Sequence, residues 1–173
     1  PPSLVLADAH TTAGAGNWSV AATWTGATLP VSGDTCTISH AVTYDVDLNN
    51  MAAGITITVA SGGTITASTV YGTYVSHDDG TDVITINETH GWIVSDPDYY
   101  QRIIYRTTGT AFGGLTNNTT YYIKTPVAKT FQVSLTAGGA AIDLTADAGT
   151  GAHTFEPIYN IKCAGNITVN AGG

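Results

Sequence analysis

From Thr35 to Leu48 the chain alternates without interruption. Cys36, Ile38, His40, Val42, Tyr44, Val46 and Leu48 take the even positions, while Thr35, Thr37, Ser39, Ala41, Thr43, Asp45 and Asp47 take the odd ones. Only an extended backbone sends successive side chains to opposite faces, so this period of two predicts β-structure with one buried face. The same phrase returns: Ile55, Ile57 and Val59 alternate with Thr56, Thr58 and Ala60, Gly62-Gly63 turns the chain, and Thr64-Ile65-Thr66 begins again. Asn166-Ile167-Thr168-Val169-Asn170, followed by Gly172-Gly173, repeats it near the end of the sequence. A recurring phrase of short strand and glycine turn is the mark of stacked rungs, each burying its apolar face against the next.

Residues 81–157 read differently. Strand-like runs lie at Asp82–Ile86, Arg102–Arg106, Thr120–Lys124, Thr130–Leu135, Ala141–Thr145 and Ala152–Pro157, separated by Gly113-Gly114, Asn117-Asn118, Pro126, Gly138-Gly139 and Gly149–Gly151. Strands punctuated at this rhythm predict a small antiparallel sandwich or barrel. No segment has helical periodicity. The expected fold is therefore all-β: an extended arm at 1–16, a β-solenoid-like domain at 17–75 plus 159–173, and an inserted antiparallel β-module at 79–157. The predicted return places Tyr159–Val169 in parallel on the rung Ile55–Ala67.

The 173 residues carry a net charge of -8, and only 10% of them are charged. All five cations (Arg102, Arg106, Lys124, Lys129, Lys162) follow position 100, whereas residues 1–100 hold ten of the thirteen acidic groups. An acidic surface repels phosphate backbones and anionic lipid, so neither nucleic acid nor membrane is an expected partner. No stretch approaches the roughly 20 apolar residues of a membrane-spanning helix. The chain opens at Pro1 without a methionine, which is read as a processed or partial chain.

Reactive constellations are sparse. Asp45 with Asp47, Asp78 with Asp79 and Asp82, and Asp96 with Asp98 are the carboxylate groups that paired acid–base chemistry or calcium would need. Asp45 and Asp47 are read as a solvated outward face, and the Asp78–Asp82 group as turn formers. His10, His40, His77, His90 and His153 have no pair at metal-ligand spacing, and no serine sits in a Gly-x-Ser-x-Gly elbow. Cys36 and Cys163 lack zinc or redox spacing; both are expected to be buried, either as free thiols or as a disulfide. Trp18, Trp24, Trp92 and the tyrosines serve as caps and core or, alternatively, as sugar platforms. No catalytic, cofactor-binding or metal-ligating residue is assigned, no cofactor is expected, and the chain is read as not an enzyme.

Two resemblances add to this reading. Gly16-Asn17-Trp18-Ser19, Ala22-Thr23-Trp24, Leu29-Pro30, Gly33-Asp34 and Thr37-Ile38 resemble the opening of bacterial and phage β-solenoid surface proteins, in which the tryptophans cap the first rung. The ordered string Thr108-Gly109-Thr110, Gly113-Gly114-Leu115, Thr119–Tyr122, Lys129–Ser134, Gly138–Leu144 and Gly149–Thr154 resembles a β-module of phage virion proteins, with Asp96–Tyr100 departing as a bulkier loop. Together they imply a non-enzymatic bacteriophage virion structural protein, a capsid decoration or fibre subunit at the virion surface. The implied partners are copies of itself, with a trimer as the favoured number, other virion proteins such as capsid or tail subunits, and a surface glycan. The alternatives are a bacterial surface or extracellular filament subunit, and a carbohydrate-binding or carbohydrate-cleaving module.

Overall fold

The computed structural model describes residues 7–95, 98–145, 149–165 and 167–170, and the fold is all-β. Two compact units form, one from residues up to Ser68 and from Asn160 onward, the other from Thr69 to Tyr159.

The first unit begins with β1 (Ala9–Thr11), β2 (Gly16–Asn17), a 3-10 turn at Ala21–Thr23, β3 (Thr35–Ile38), β4 (Ala41–Tyr44), β5 (Thr56–Val59) and β6 (Thr64–Ala67). Successive strands fall alternately on two sheets: β1, β3 and β5 pair in parallel on one, and β2, β4 and β6 on the other. The alternation read from the sequence produces this directly. Cys36, Ile38, Val42, Tyr44, Ile57 and Val59 point inward and are buried, while the intervening Thr35, Ala41 and Thr56 are exposed. The run from Thr35 is not one strand, however. It bends at Ser39-His40 between the two sheets, which leaves His40 exposed at the corner.

Residues 9–11, expected in an extended arm, instead form the first strand of a sheet, because Ala9, His10 and Thr11 register with Thr35, Cys36 and Thr37. Residues 1–6 of that arm lie outside the described residues. The outer edge of β1 is covered in turn: the N–H of Ala13 donates to Thr23, the N–H of Thr25 donates to Thr11, and Thr12 bridges Trp24 in antiparallel fashion. Trp18 and Trp24 close this end, with ring centroids 4.7 Å apart and the Trp24 indole N–H donating to the Trp18 carbonyl at 3.0 Å. Both rings are buried, and such edge-to-face contacts add to their area burial.

The second unit is a closed six-stranded antiparallel barrel with a short hairpin. Its strands are β7 (Gly72–Asp78), β8 (Val83–Ile86), β9 (Val94–Ser95), β10 (Tyr99–Tyr100), β11 (Arg102–Thr107), β12 (Thr119–Val127), β13 (Thr130–Ser134) and β14 (His153–Ile158). The barrel runs β7-β8-β13-β12-β11-β14 and closes on β7; among the described residues β9 and β10 form a separate two-stranded sheet. Closure leaves no unpaired edge in the barrel. Alternate residues Ile103, Tyr105, Tyr121, Ile123, Phe131, Val133 and Phe155 fill the interior with Trp92 and Phe112.

Two expectations change here. Residues 69–75, expected with the solenoid, belong to the barrel unit, since β7 starts at Gly72 and pairs with β8 and β14. Ala141–Thr145, expected as a strand, has no ladder. The N–H of Ile142 donates to Val133 and that of Leu144 to the Asp82 carboxylate, so Leu144 enters the core without a strand around it.

Beyond the barrel the chain returns to the first unit as β15 (Thr168–Val169), which pairs in parallel with β5 at Thr58 and Val59. Ahead of it, Ile55 bridges Cys163 in parallel, and the Tyr44 hydroxyl donates to the Asn160 carbonyl. The close approach needs Gly54, where a Cβ would stand 2.2 Å from the Cys163 carbonyl carbon.

Candidate functional site

The carboxylates singled out from the sequence are tied into the fold. Asp45 and Asp47, expected on a solvated face, are 5% and 2% exposed. Their alternation continues past Tyr44, where the strand ends, so it no longer reports which side faces water. Asp45 accepts from both the main-chain N–H (2.9 Å) and the hydroxyl (2.6 Å) of Ser19, and Asp47 accepts from the Asn49 N–H at 3.1 Å. Asp78 closes a turn by accepting from the N–H groups of Gly80 and Thr81. Asp98 is buried, and Asp96 lies outside the described residues. Among the described residues no three His, Cys, Asp or Glu side chains cluster as metal ligands would.

Each histidine likewise has a structural bond. His10 meets the Asp34 carboxylate, and His40 Nδ1 lies 3.0 Å from the Thr12 hydroxyl. His77 stands between the Tyr74 hydroxyl at 3.0 Å and the Thr145 carbonyl at 3.1 Å. His90 faces the Thr130 carbonyl through Nε2 and accepts the Trp92 N–H on Nδ1, which fixes a neutral ring with its proton on Nε2. In the barrel core the Tyr105 hydroxyl accepts the Phe112 N–H and so directs its own proton to His153 Nδ1, at 2.7 Å. Burial holds both His90 and His153 below the usual imidazole range; for His90 the Thr130 carbonyl pulls weakly the other way.

Cys36 is buried and Cys163 is half-buried, so the expectation of full burial is corrected for the second. Both are free thiols. Cys36 registers with Ile57, and Cys163 bridges Ile55 from the other side of β5. Two strand spacings, about 9–10 Å, exceed the roughly 7 Å that a disulfide spans.

All three tryptophans are buried, as are Tyr99 and Tyr121, so none of these rings offers a sugar platform. The Tyr99-Tyr100 end of the bulkier loop read from the sequence pairs back onto Val94-Ser95. Among the described residues Tyr71 is the exposed aromatic ring, at 58%. It stands in a depression of ≈ 340 Å³ between Thr69–Thr73 and Asn87–Thr89 on the barrel unit. A second depression, of ≈ 350 Å³, lies between Tyr100 and Lys124–Pro126; there the Lys124 ammonium donates to the Gly139 carbonyl.

Among the described residues, the last layer of the parallel sheets is one of the places where large apolar side chains are exposed, with Val75, Val127 and Leu135 on the barrel unit as others. Ile38, Val59 and Val169 stand in register on β3, β5 and β15, and their exposure rises from 0% to 7% to 61%. Ile167 beside it is 43% exposed. Trp18 and Trp24 are buried at the β1 end, whereas at the other end Ile167 and Val169 are exposed and, among the described residues, no strand follows β15 in the sheet. The chain matches no family model, no curated protein and no solved structure.

Proposed function

We propose that this chain is a non-enzymatic structural subunit of a virion, a capsid decoration or fibre protein that acts through contacts with copies of itself and with neighbouring capsid or tail subunits. The observation that carries the reading is the apolar column ending at Val169. A sheet edge with exposed apolar side chains is unfavourable in water and favours addition of another chain. The engagement of the histidines and of Asp34, Asp45 and Asp78 in fold-defining bonds supports a structural role, and the module resemblance over residues 108–154 supports a virion. A trimer is the proposed number.

Light scattering of the purified protein tests the association: the wild type should exceed monomer mass at micromolar concentration, and Val169→Asp should reduce it to monomer. A wild-type monomer overturns self-association. Electron micrographs of the source material separate a virion from the second reading, a bacterial surface or filament subunit. Copies on a capsid lattice or tail support the first, and free fibres support the second.

A further inference from the structure

We infer that the depression around Tyr71 on the barrel unit binds a neutral saccharide. The two walls are the run leading into β7 and the segment following β8, held together at their base by reciprocal bonds between Thr73 and Asn87. The Asn87 N–H donates to the Thr73 carbonyl at 2.9 Å, and the Thr73 N–H donates to Asn87 Oδ1 at 2.8 Å. Asn87 Nδ2 then donates to Glu88 Oε1 at 3.1 Å, and the Lys129 ammonium donates to the Asn87 carbonyl at 2.6 Å. The pair Asn87-Glu88 is thereby oriented before any ligand arrives, which lowers the ordering cost of binding.

The chemistry of the lining selects the ligand class. Tyr71 places an exposed aromatic ring in the lining, a side chain of the kind that stacks on the C–H face of a pyranose. Around it stand the hydroxyls of Thr69, Thr73 and Thr89 and the carboxylate of Glu88, which keeps Oε2 as an acceptor for ligand hydroxyl groups. A peptide or lipid would need more apolar surface than one ring and the half-buried Val70 supply. An anionic sugar or phosphate would meet the Glu88 carboxylate, the one charged side chain of the lining, on a chain of net charge -8. At ≈ 340 Å³ the depression falls at the small end of ligand sites, about 300–1,000 Å³, which suits one or two sugar rings. The site is carried by the barrel alone and stands independently of subunit contacts through Val169.

The test is saturation-transfer NMR on the full chain with glucose, galactose, mannose, N-acetylglucosamine and their common disaccharides, with choline as a cationic control. At least one neutral sugar should receive saturation, and Tyr71→Ala should weaken its binding at least about tenfold. Glu88→Gln should weaken it as well. Both side chains are exposed, so both variants should keep the wild-type circular dichroism and melting temperature. Silence from every sugar, saturation of choline alone, or unchanged affinity in Tyr71→Ala each overturns the inference.

Discussion

His10 of β1 and Asp34, the residue that precedes β3, are joined with Nε2 of one 2.9 Å from Oδ2 of the other and side chains only 6% and 1% exposed. The same carboxylate accepts the N–H of Asp8 at 2.8 Å and the N–H of Val31 at 2.7 Å. One side chain therefore ties the approach to β1 and the loop before β3 to a single point.

Asp34→Ala would leave three donors without their acceptor, and removal of a buried charged partner typically costs about 3–5 kcal/mol. His10→Ala should cost less, because Asp34 keeps its two main-chain donors. Urea unfolding of the two variants should give this order, and equal losses would show that the main-chain bonds contribute little.

Gly54→Ala tests the return of the chain. The new Cβ would meet main-chain atoms of Cys163 and Ala164 at 2.2 to 2.5 Å, and backbone cannot move aside as a side-chain tip can. A loss of about 1–3 kcal/mol is expected from overpacking, together with faster proteolysis within residues 160–170. Wild-type resistance in that segment would mean that the Ile55 bridge to Cys163 does not hold it.

The two buried imidazoles make stability depend on pH. His90 and His153 are held low by desolvation, so the unfolded chain, with histidines near about 6.5, binds protons that the native state refuses. Stability is full above about pH 6.5, falls as pH drops through that value, and levels off beneath the native pKa values. Denaturation midpoints at about pH 7.5 and about pH 5.5 should differ in this direction, and less so in His90→Gln/His153→Gln. An unchanged difference in the double variant would assign the effect to other groups.

The thiols should separate by reactivity. Burial, with Asp34 and Cys163 adding smaller contributions, pushes the Cys36 thiol up to about 12, and Cys163 is raised by burial but half-exposed. At mildly alkaline pH iodoacetamide should label Cys163 first and reach Cys36 only on unfolding. Equal labelling rates in the native protein would contradict the burial of Cys36.

Period-two alternation is a direct image of a half-buried strand, and β3, β4, β5 and β13 carry it; β8 and β11 were legible from their apolar runs between turn residues. The parallel return at Thr168-Val169 was readable from the phrase it shares with Ile55–Ala67. Three features were not. β7 was hidden because its ladder to β8 shifts between Tyr74 and Ser76, and such a bulge breaks the alternation that would announce a strand. Asp45 and Asp47 misled because alternation persists after the backbone leaves the sheet. The Tyr71 depression was invisible because its walls come from separate runs, and nothing in the string ties Asn87-Glu88-Thr89 to Tyr71.

The pairing of β7 with β14 brings Thr73 and Gly72 beside Thr154 and Phe155, so the first and last strands of the barrel are neighbours. A module whose entrance and exit lie side by side can be gained, lost or exchanged by a host chain with little disturbance to the backbone on either side. The barrel is thus a portable cassette. An engineer could graft another closed module between Ser68 and Asn160 by the same logic.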